Sequence, residues 1–207
     1  MMVSQSSVYA NSLVDDVNLK DIKVVLNGND TIEIDLEKFE KLDNIQKQKI
    51  KNYISQIGIK EFKQMLKKNF KIVKEKEEVI SSKTLSSNRD ISLLAANGDY
   101  YKEKEKYRLI EFEKGYTIEY IAIVGIDVNI KENKITKINS TSFRTESMSV
   151  GGGTENLSFE QYVDSNGSSA GATANYDVYK SFFIGDIVPV KYTKTTFDYV
   201  IAYPSDF

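Results

Sequence analysis

The sequence predicts an α+β protein in which an N-terminal β-hairpin and two amphipathic helices precede an antiparallel β-sandwich. Residues 117–130 carry an apolar side chain at every even position, which is the two-residue period of a strand. Residues 43–74 instead repeat apolar side chains every three or four positions, as an amphipathic helix does. After Asp99, short apolar runs alternate with turn residues at a spacing typical of antiparallel sandwiches.

Residues 1–12 form a polar N-terminal segment that we expect to be processed or disordered. Val8 and Ala10 occupy the small-residue positions of a signal-peptidase cleavage site, but no apolar stretch precedes them. Two interpretations stay open: the segment is the remnant of a signal peptide, or it is a disordered cytosolic terminus. The first interpretation would make the protein secreted or associated with the cell envelope.

The first regular element is predicted to be a hairpin. Two alternating apolar runs flank Asn27-Gly28, a dipeptide that tolerates the positive φ angles of a tight turn. The apolar positions are Ile22, Val24 and Leu26 before the turn, and Ile32, Ile34 and Leu36 after it.

Two helices are predicted next, over residues 43–57 and 59–74. Asp43 and Gln46 stand at the spacing of a capping box, in which each side chain accepts a hydrogen bond from the other residue's backbone. Gly58 separates the two helices, because glycine commonly ends a helix. The apolar stripes comprise Phe39, Leu42, Ile45, Ile50, Tyr53, Ile54 and Ile57, and then Ile59, Phe62, Met65, Leu66, Phe70 and Val73.

The chain is predicted to divide at a linker of residues 81–98, because the mostly polar residues 81–92 replace the apolar stripes. This linker would separate a hairpin-helical domain of residues 13–80 from an all-β domain of residues 99–207. In the strand over residues 117–130, Ile121 and Ile123 add apolar odd positions, so both of its faces should be covered at the centre. The candidate strands span residues 106–113, 117–130, 134–144, 157–163, 169–179, 187–193 and 197–203.

The composition of the 207-residue chain excludes several chemistries. It has no cysteine and no histidine, which removes disulfides, thiolate nucleophiles, and the commonest general base and metal ligand. No phosphate-binding or dinucleotide-binding motif occurs, so we predict no cofactor and no metal. The composition resembles that of small exported proteins of Gram-positive bacteria, although this likeness assigns no role to any residue.

A basic segment within the predicted helices is the first candidate for a binding surface. Residues 44–76 contain ten lysines and two glutamates, whereas the whole chain has a net charge of -2. Such one-sided charge favours an anionic membrane or cell-wall polymer as partner, while a solvated helix face is the alternative. No aromatic residues interleave with the basic face, which disfavours nucleic acid. The lysines expected to make the contact are Lys60, Lys63, Lys67, Lys68 and Lys71.

Two loops of the predicted sandwich are the second candidate. Gly151, Gly152 and Gly153 form one of them, and Asp164 and Asn166 lie in the other. Loops on a rigid sandwich commonly carry recognition, so we predict that these two contact a partner such as another protein. Asp164 also begins the ligand spacing of a calcium loop. The glycine and the final glutamate of such a loop are missing, which favours an ordinary hairpin turn.

The favoured function is an exported, non-enzymatic binding or interaction module. The first alternative is a secreted pore-forming or membrane-active toxin, because residues 139–175 have the serine-, threonine- and glycine-rich composition of strands that insert into membranes. The apolar residues of this stretch do not keep to one face, which is typical of ordinary edge strands and loops instead.

A carboxylate-dependent hydrolase is the second alternative. Paired carboxylates on neighbouring strands can carry out acid–base hydrolysis. Strand alternation points the candidate glutamates toward solvent, where lysines of the same sheet would neutralise them. The glutamates are Glu111, Glu113 and Glu119, and the expected lysine partners are Lys102, Lys104 and Lys106.

Overall fold

The computed structural model describes residues 17–86 and 98–207. The N-terminal segment of residues 1–12 therefore lies outside the described residues. The helices are α1 (Leu36–Glu40), α2 (Asn44–Ile57) and α3 (Ile59–Asn69). The strands are β1 (Lys23–Val25), β2 (Thr31–Ile34), β3 (Ile72–Ser86), β4 (Gly98–Phe112), β5 (Thr117–Lys131), β6 (Lys134–Glu146), β7 (Gly152–Val163), β8 (Ala170–Ile184) and β9 (Val188–Ala202).

The strands form two antiparallel sheets whose apolar faces pack against each other. Sheet A has the order β1-β2-β9-β8-β7, and sheet B has the order β3-β4-β5-β6. Buried side chains of β5, β8 and β9 share one core cluster between the sheets, to which Val124, Ala174 and Val200 belong. The predicted α+β class, with an N-terminal hairpin and an antiparallel β-sandwich, is confirmed.

The strand β5 occupies the centre of sheet B, as its alternation predicts. All of its even positions from Ile118 to Ile130 are buried between the two sheets. On the outer face Ile123 is only 1% exposed, and its register partners are Glu105 of β4 and Arg144 of β6. On the outer face of sheet B, the neighbouring strands β4 and β6 therefore flank the apolar odd positions at the centre of β5.

The helices α2 and α3 follow the predicted boundaries closely at their start. The predicted capping box of α2 is present: the Gln46 N–H donates to Asp43 at 2.7 Å, and the Asp43 N–H donates to Gln46 at 3.2 Å. Gly58, with φ of 90°, ends α2 and precedes α3. The buried residues of the two helices join the core cluster that includes Phe112 and Tyr192; they are Ile50, Ile54, Phe62 and Leu66.

The predicted extension of the second helix to residue 74 is wrong, because α3 ends at Asn69. Phe70 packs 5.3 Å from the rings of both Phe112 and Phe182, which anchors the chain in the core just beyond the helix. From Ile72 onward the chain pairs with β4 as the edge strand β3. The short helix α1 was also not predicted; its N-cap Asp35 accepts a hydrogen bond from the Lys38 N–H at 3.0 Å.

The strand β3 crosses the predicted boundary between the two parts of the chain. Residues 81–86, expected to be linker, pair with β4 down to the partners Ser86 and Tyr100. The N-terminal hairpin in turn pairs with β9, where Ile32 lies opposite Tyr192. The hairpin and the C-terminal strands therefore share one sheet and one core cluster. The division into residues 13–80 and 99–207 stays a prediction.

Candidate functional site

The basic face of α3 is the first predicted surface, and the helix presents it outward. Phe62 and Leu66 are buried on one side, which leaves Lys60 and Lys67 exposed and Lys63 half-exposed on the other. At 3.6 residues per turn these three lysines lie within about 60° around the helix axis. They therefore form one continuous cationic row.

The lysines of α3 have no ionic partners among the described residues. None of Lys60, Lys63, Lys67 and Lys68 lies within 4.0 Å of a carboxylate oxygen there. The fifth predicted residue, Lys71, differs from the other four, because its ammonium lies 3.7 Å from a carboxylate oxygen of Glu113. We therefore define the basic face as Lys60, Lys63, Lys67 and Lys68.

The predicted glycine loop borders a cleft of about 520 Å³. Gly151 and Gly152 line the cleft together with side chains from β2, α1, β8 and β9. The third glycine of the set, Gly153, lies within β7 beneath the ring of Tyr179, where an added Cβ would come within 2.8 Å of the ring. Only the first two glycines therefore border the open space.

Polar groups inside the cleft are already bound to one another. Asp35, which is buried, accepts a hydrogen bond from the Ser181 hydroxyl. The ammonium of Lys191 lies 2.8 Å and 3.0 Å from the two carboxylate oxygens of Glu155, and 4.3 Å from the ring centre of Tyr179. These paired groups can hydrogen-bond a ligand in the cleft.

The second predicted loop is a tightly hydrogen-bonded turn. The Ser168 hydroxyl donates to Asp164 at 2.8 Å, and this bond together with the Asn166 N–H lowers the pKa of the Asp164 carboxyl. Gly167 is buried against β6, where its carbonyl accepts from the Ile135 N–H at 2.9 Å. No group of three carboxylates that could hold a metal ion occurs in residues 17–86 and 98–207. The turn joins the sheets rather than standing free.

The two predicted loops lie at opposite ends of the sandwich. Gly152 begins β7 and Val163 ends it, directly before Asp164. Twelve extended residues span roughly 36 Å at about 3.3 Å per residue, so the loops cannot contact one small ligand together. The glycine loop and the Asp164 turn are therefore separate surfaces.

The carboxylates of the predicted hydrolase site each have a partner of their own. Glu111 pairs with Lys74 at 2.9 Å, and Glu113 pairs with Lys71. Glu119 accepts a hydrogen bond from the Tyr107 hydroxyl at 2.9 Å. The expected pairing with Lys102, Lys104 and Lys106 is wrong, because even positions of β4 point into the sandwich instead of toward solvent.

A buried ionic network was missed at the sequence level. Asp198 of β9 is 2% exposed and accepts from Arg108 at 2.9 Å, from Lys106 at 2.9 Å and from the Tyr176 hydroxyl at 2.6 Å. Glu77 of β3 completes the network at its outer side, 2.6 Å from each of the two cations. The network therefore joins β3 and β4 of sheet B to β8 and β9 of sheet A by charge and hydrogen bonding as well as by apolar packing.

The pKa values in this network follow from burial and pairing. Burial opposes the charged forms of Arg108 and Lys106, but hydrogen bonds to carboxylates outweigh it and raise the pKa of both side chains. Burial raises the pKa of the Tyr120 hydroxyl to about 12. Strand alternation does indicate that these two cations point inward, because Lys106 and Arg108 share the parity of the buried Ile110 on β4.

A second internal carboxylate, Asp30, lies near the start of the hairpin strand β2. It accepts a hydrogen bond from the Tyr192 hydroxyl at 2.8 Å, and Lys194 lies 3.7 Å away. Burial raises the pKa of Asp30, although Tyr192 and Lys194 oppose that shift. This pair ties the N-terminal hairpin to β9.

Comparisons with known proteins add no family to these observations. None of the described helices is long and apolar enough to cross a membrane. The chain matches no model of a known protein family, no curated protein and no solved structure.

Proposed function

We propose that this protein is an exported, non-enzymatic binding module whose basic face contacts a phosphate-bearing anionic surface of the cell envelope. The observation that carries the proposal is the set of four α3 lysines without a carboxylate partner among the described residues. The β-sandwich serves as the rigid body that holds α3 in place through Phe62 and Leu66.

Electrostatics explain why an unpaired lysine row favours such a partner. Like charges along one helix face repel one another, and a polyanion removes that repulsion. Each lysine near an anionic membrane surface contributes about 1 kcal/mol, and the attraction falls off within a Debye length. Binding through the basic face should therefore weaken strongly as salt concentration rises.

Charge reversal of the basic face tests the proposal. Native protein should bind vesicles containing phosphatidylglycerol, or soluble polyphosphate, at low salt, and should ignore vesicles of phosphatidylcholine alone. The variant carrying Lys60→Glu, Lys63→Glu and Lys67→Glu should lose at least tenfold in affinity for the anionic partners. The two anionic partners distinguish a lipid headgroup from a polymeric phosphate.

A matched variant controls for net charge. Lys131, Lys134 and Lys137 are exposed on the β5–β6 hairpin and lie outside the basic face. Replacing these three by glutamate changes the charge of the chain by the same amount. It should leave most of the affinity intact, and equal losses from both triple variants would refute a localised contact.

The two alternative functions gain no specific support. Residues 139–175 are divided between β6 in sheet B and β7 and β8 in sheet A, so they do not form one amphipathic hairpin. The glutamates of the hydrolase alternative each have a lysine or tyrosine partner.

A further inference from the structure

Apolar side chains are exposed on the turns at one end of the sandwich. This end carries the β4–β5 turn, the β6–β7 loop and the β8–β9 turn, and it exposes Val150, Phe183 and Ile187. The exposed fractions of these side chains are 97%, 44% and 41%, respectively. We call these three residues the apolar tip. At the opposite end the β5–β6 turn and the Asp164 turn are polar, and the exposed apolar residues there lie at strand ends instead: Tyr162, Val163 and Tyr203.

Hydrogen bonds hold the three connections of the apolar tip together. The Ser181 N–H donates to the Gly151 carbonyl at 3.0 Å, which fixes the β6–β7 loop against β8. The Tyr116 hydroxyl donates to the Phe183 carbonyl at 3.1 Å, which joins the β4–β5 turn to the same strand. Exposed apolar residues on interlocked turns cannot withdraw into the core, so they remain in water unless a partner covers them.

Lysines lie beside the apolar tip. The Lys38 ammonium lies 5.6 Å from the ring centre of Phe183, and Lys114 is exposed in the β4–β5 turn. The end of α3 is adjacent, because Phe70, directly after this helix, stacks on Tyr116 at 5.2 Å. The carboxylates of these three connections are Asp186 and Glu113, and the Lys71 ammonium lies 3.7 Å from Glu113. Apolar side chains with lysines beside them match the boundary between acyl chains and anionic headgroups.

We propose that this end of the sandwich docks on an anionic lipid bilayer, with the apolar tip inserted among the lipids and the lysines on the headgroups. The inference rests on the proposed function and selects a bilayer over a soluble polyanion. Only a bilayer offers hydrocarbon to Val150, Phe183 and Ile187, because a phosphate polymer leaves apolar side chains in water.

A single tryptophan tests insertion directly, since the chain contains none and therefore has no background signal. Val150→Trp places the probe at the apolar tip, and Ser165→Trp places a matched probe in the polar Asp164 turn at the opposite end. With phosphatidylglycerol vesicles, the emission of the first probe should shift to shorter wavelength and be quenched by brominated lipid. The second probe should show neither change, and equal responses from the two probes would overturn the proposed orientation.

Removal of the apolar tip separates this inference from the envelope role. The variant carrying Val150→Ser, Phe183→Ser and Ile187→Ser should bind vesicles about tenfold less tightly and bind soluble polyphosphate as native protein does. The α3 charge reversal should weaken binding to vesicles and binding to polyphosphate. Unchanged vesicle binding by the serine variant overturns insertion alone, whereas unchanged binding by the charge-reversed variant overturns the envelope role.

Two further single variants guard against misfolding of the triple variant. Val150→Ser alters a side chain that is 97% exposed, so it should preserve the unfolding midpoint and still weaken vesicle binding measurably. Asp186→Asn removes one of the two carboxylates in the connections around the tip and should strengthen binding to phosphatidylglycerol vesicles. Loss of vesicle binding in Asp186→Asn, with the fold intact, would contradict docking of this end of the sandwich on the bilayer.

Discussion

The interior charges of the sandwich converge on one side chain, Asp198. Its carboxylate faces two cations and one tyrosine hydroxyl, all within 2.9 Å at their closest atoms. Strand parity identifies which residues of β9 point inward, since Asp198 shares the parity of the buried Val200 and Tyr192. It does not identify the partners, because they come from β4 and β8, and strand order is not encoded in local alternation.

Loss of the charge on Asp198 should be severely destabilising. In Asp198→Asn, Arg108 and Lys106 would stay buried with Glu77 as their remaining shared carboxylate. The new asparagine amide would also direct its N–H groups toward these two cations. We expect a loss of about 3 kcal/mol or more in the free energy of unfolding, measured by urea denaturation.

A carboxylate outside the core provides the comparison for Asp198. Asp177 is half-buried and accepts hydrogen bonds from Asn156 at 2.7 Å and Thr195 at 2.6 Å. Asp177→Asn should lower the free energy of unfolding by about 1 kcal/mol or less, since water can replace the lost hydrogen-bond partners. Similar losses from the two substitutions would show that burial of the network contributes little.

At the scale of elements, regular patterns predicted those strands and helices that bury one face. The helices α2 and α3 and the central strand β5 each repeat apolar residues at the period of their structure. The strand β3 gave no such signal, because both faces of this edge strand are largely exposed and its sequence is lysine- and glutamate-rich. Charged edge strands avoid pairing with other chains, which removes the apolar alternation used to recognise them.

The Asp164 turn illustrates how a sequence can locate an element without indicating its tertiary contacts. The turn is where the sequence predicts it, but Gly167 packs against backbone of β6 instead of facing solvent. A Cβ at Gly167, where φ is +71°, would lie 2.8 Å from the Ile135 carbonyl oxygen. Local sequence carries no information about this long-range approach.

Gly167→Ala should therefore lower the free energy of unfolding by more than the strain of the positive φ angle alone would. Gly115 is a matched glycine, with φ of +77° and no atom within 4 Å of an added Cβ. We expect about 1 kcal/mol of destabilisation for Gly115→Ala and about 3 kcal/mol for Gly167→Ala, measured by urea unfolding. If the two losses are equal, the Asp164 turn does not depend on its close contact with β6.

At the scale of the whole molecule, the N-terminal hairpin completes sheet A. The strand β2 covers the edge of β9 from Val190 to Thr193, and Tyr192 reaches Asp30 across this pairing. The same core cluster contains Ile22 and Ile32 of the hairpin. Composition and periodicity predict a boundary at residues 81–98 from local segments alone, because they contain no record of which strands pair.

The C-terminal part alone should consequently fail to fold cooperatively. A chain of residues 98–207 lacks β2, which is one of the two partners of β9, and it also lacks the edge strand β3 and the apolar side of α3. Tyr192 and Phe112 would therefore face water. We expect its thermal unfolding, followed by tyrosine near-ultraviolet circular dichroism, to show no sharp transition. Co-expression with residues 1–86 should restore the transition, because β3 and β4 pair over nearly their whole length. A sharp transition in residues 98–207 alone, at the midpoint of the full chain, would mean that these strands form an independent domain.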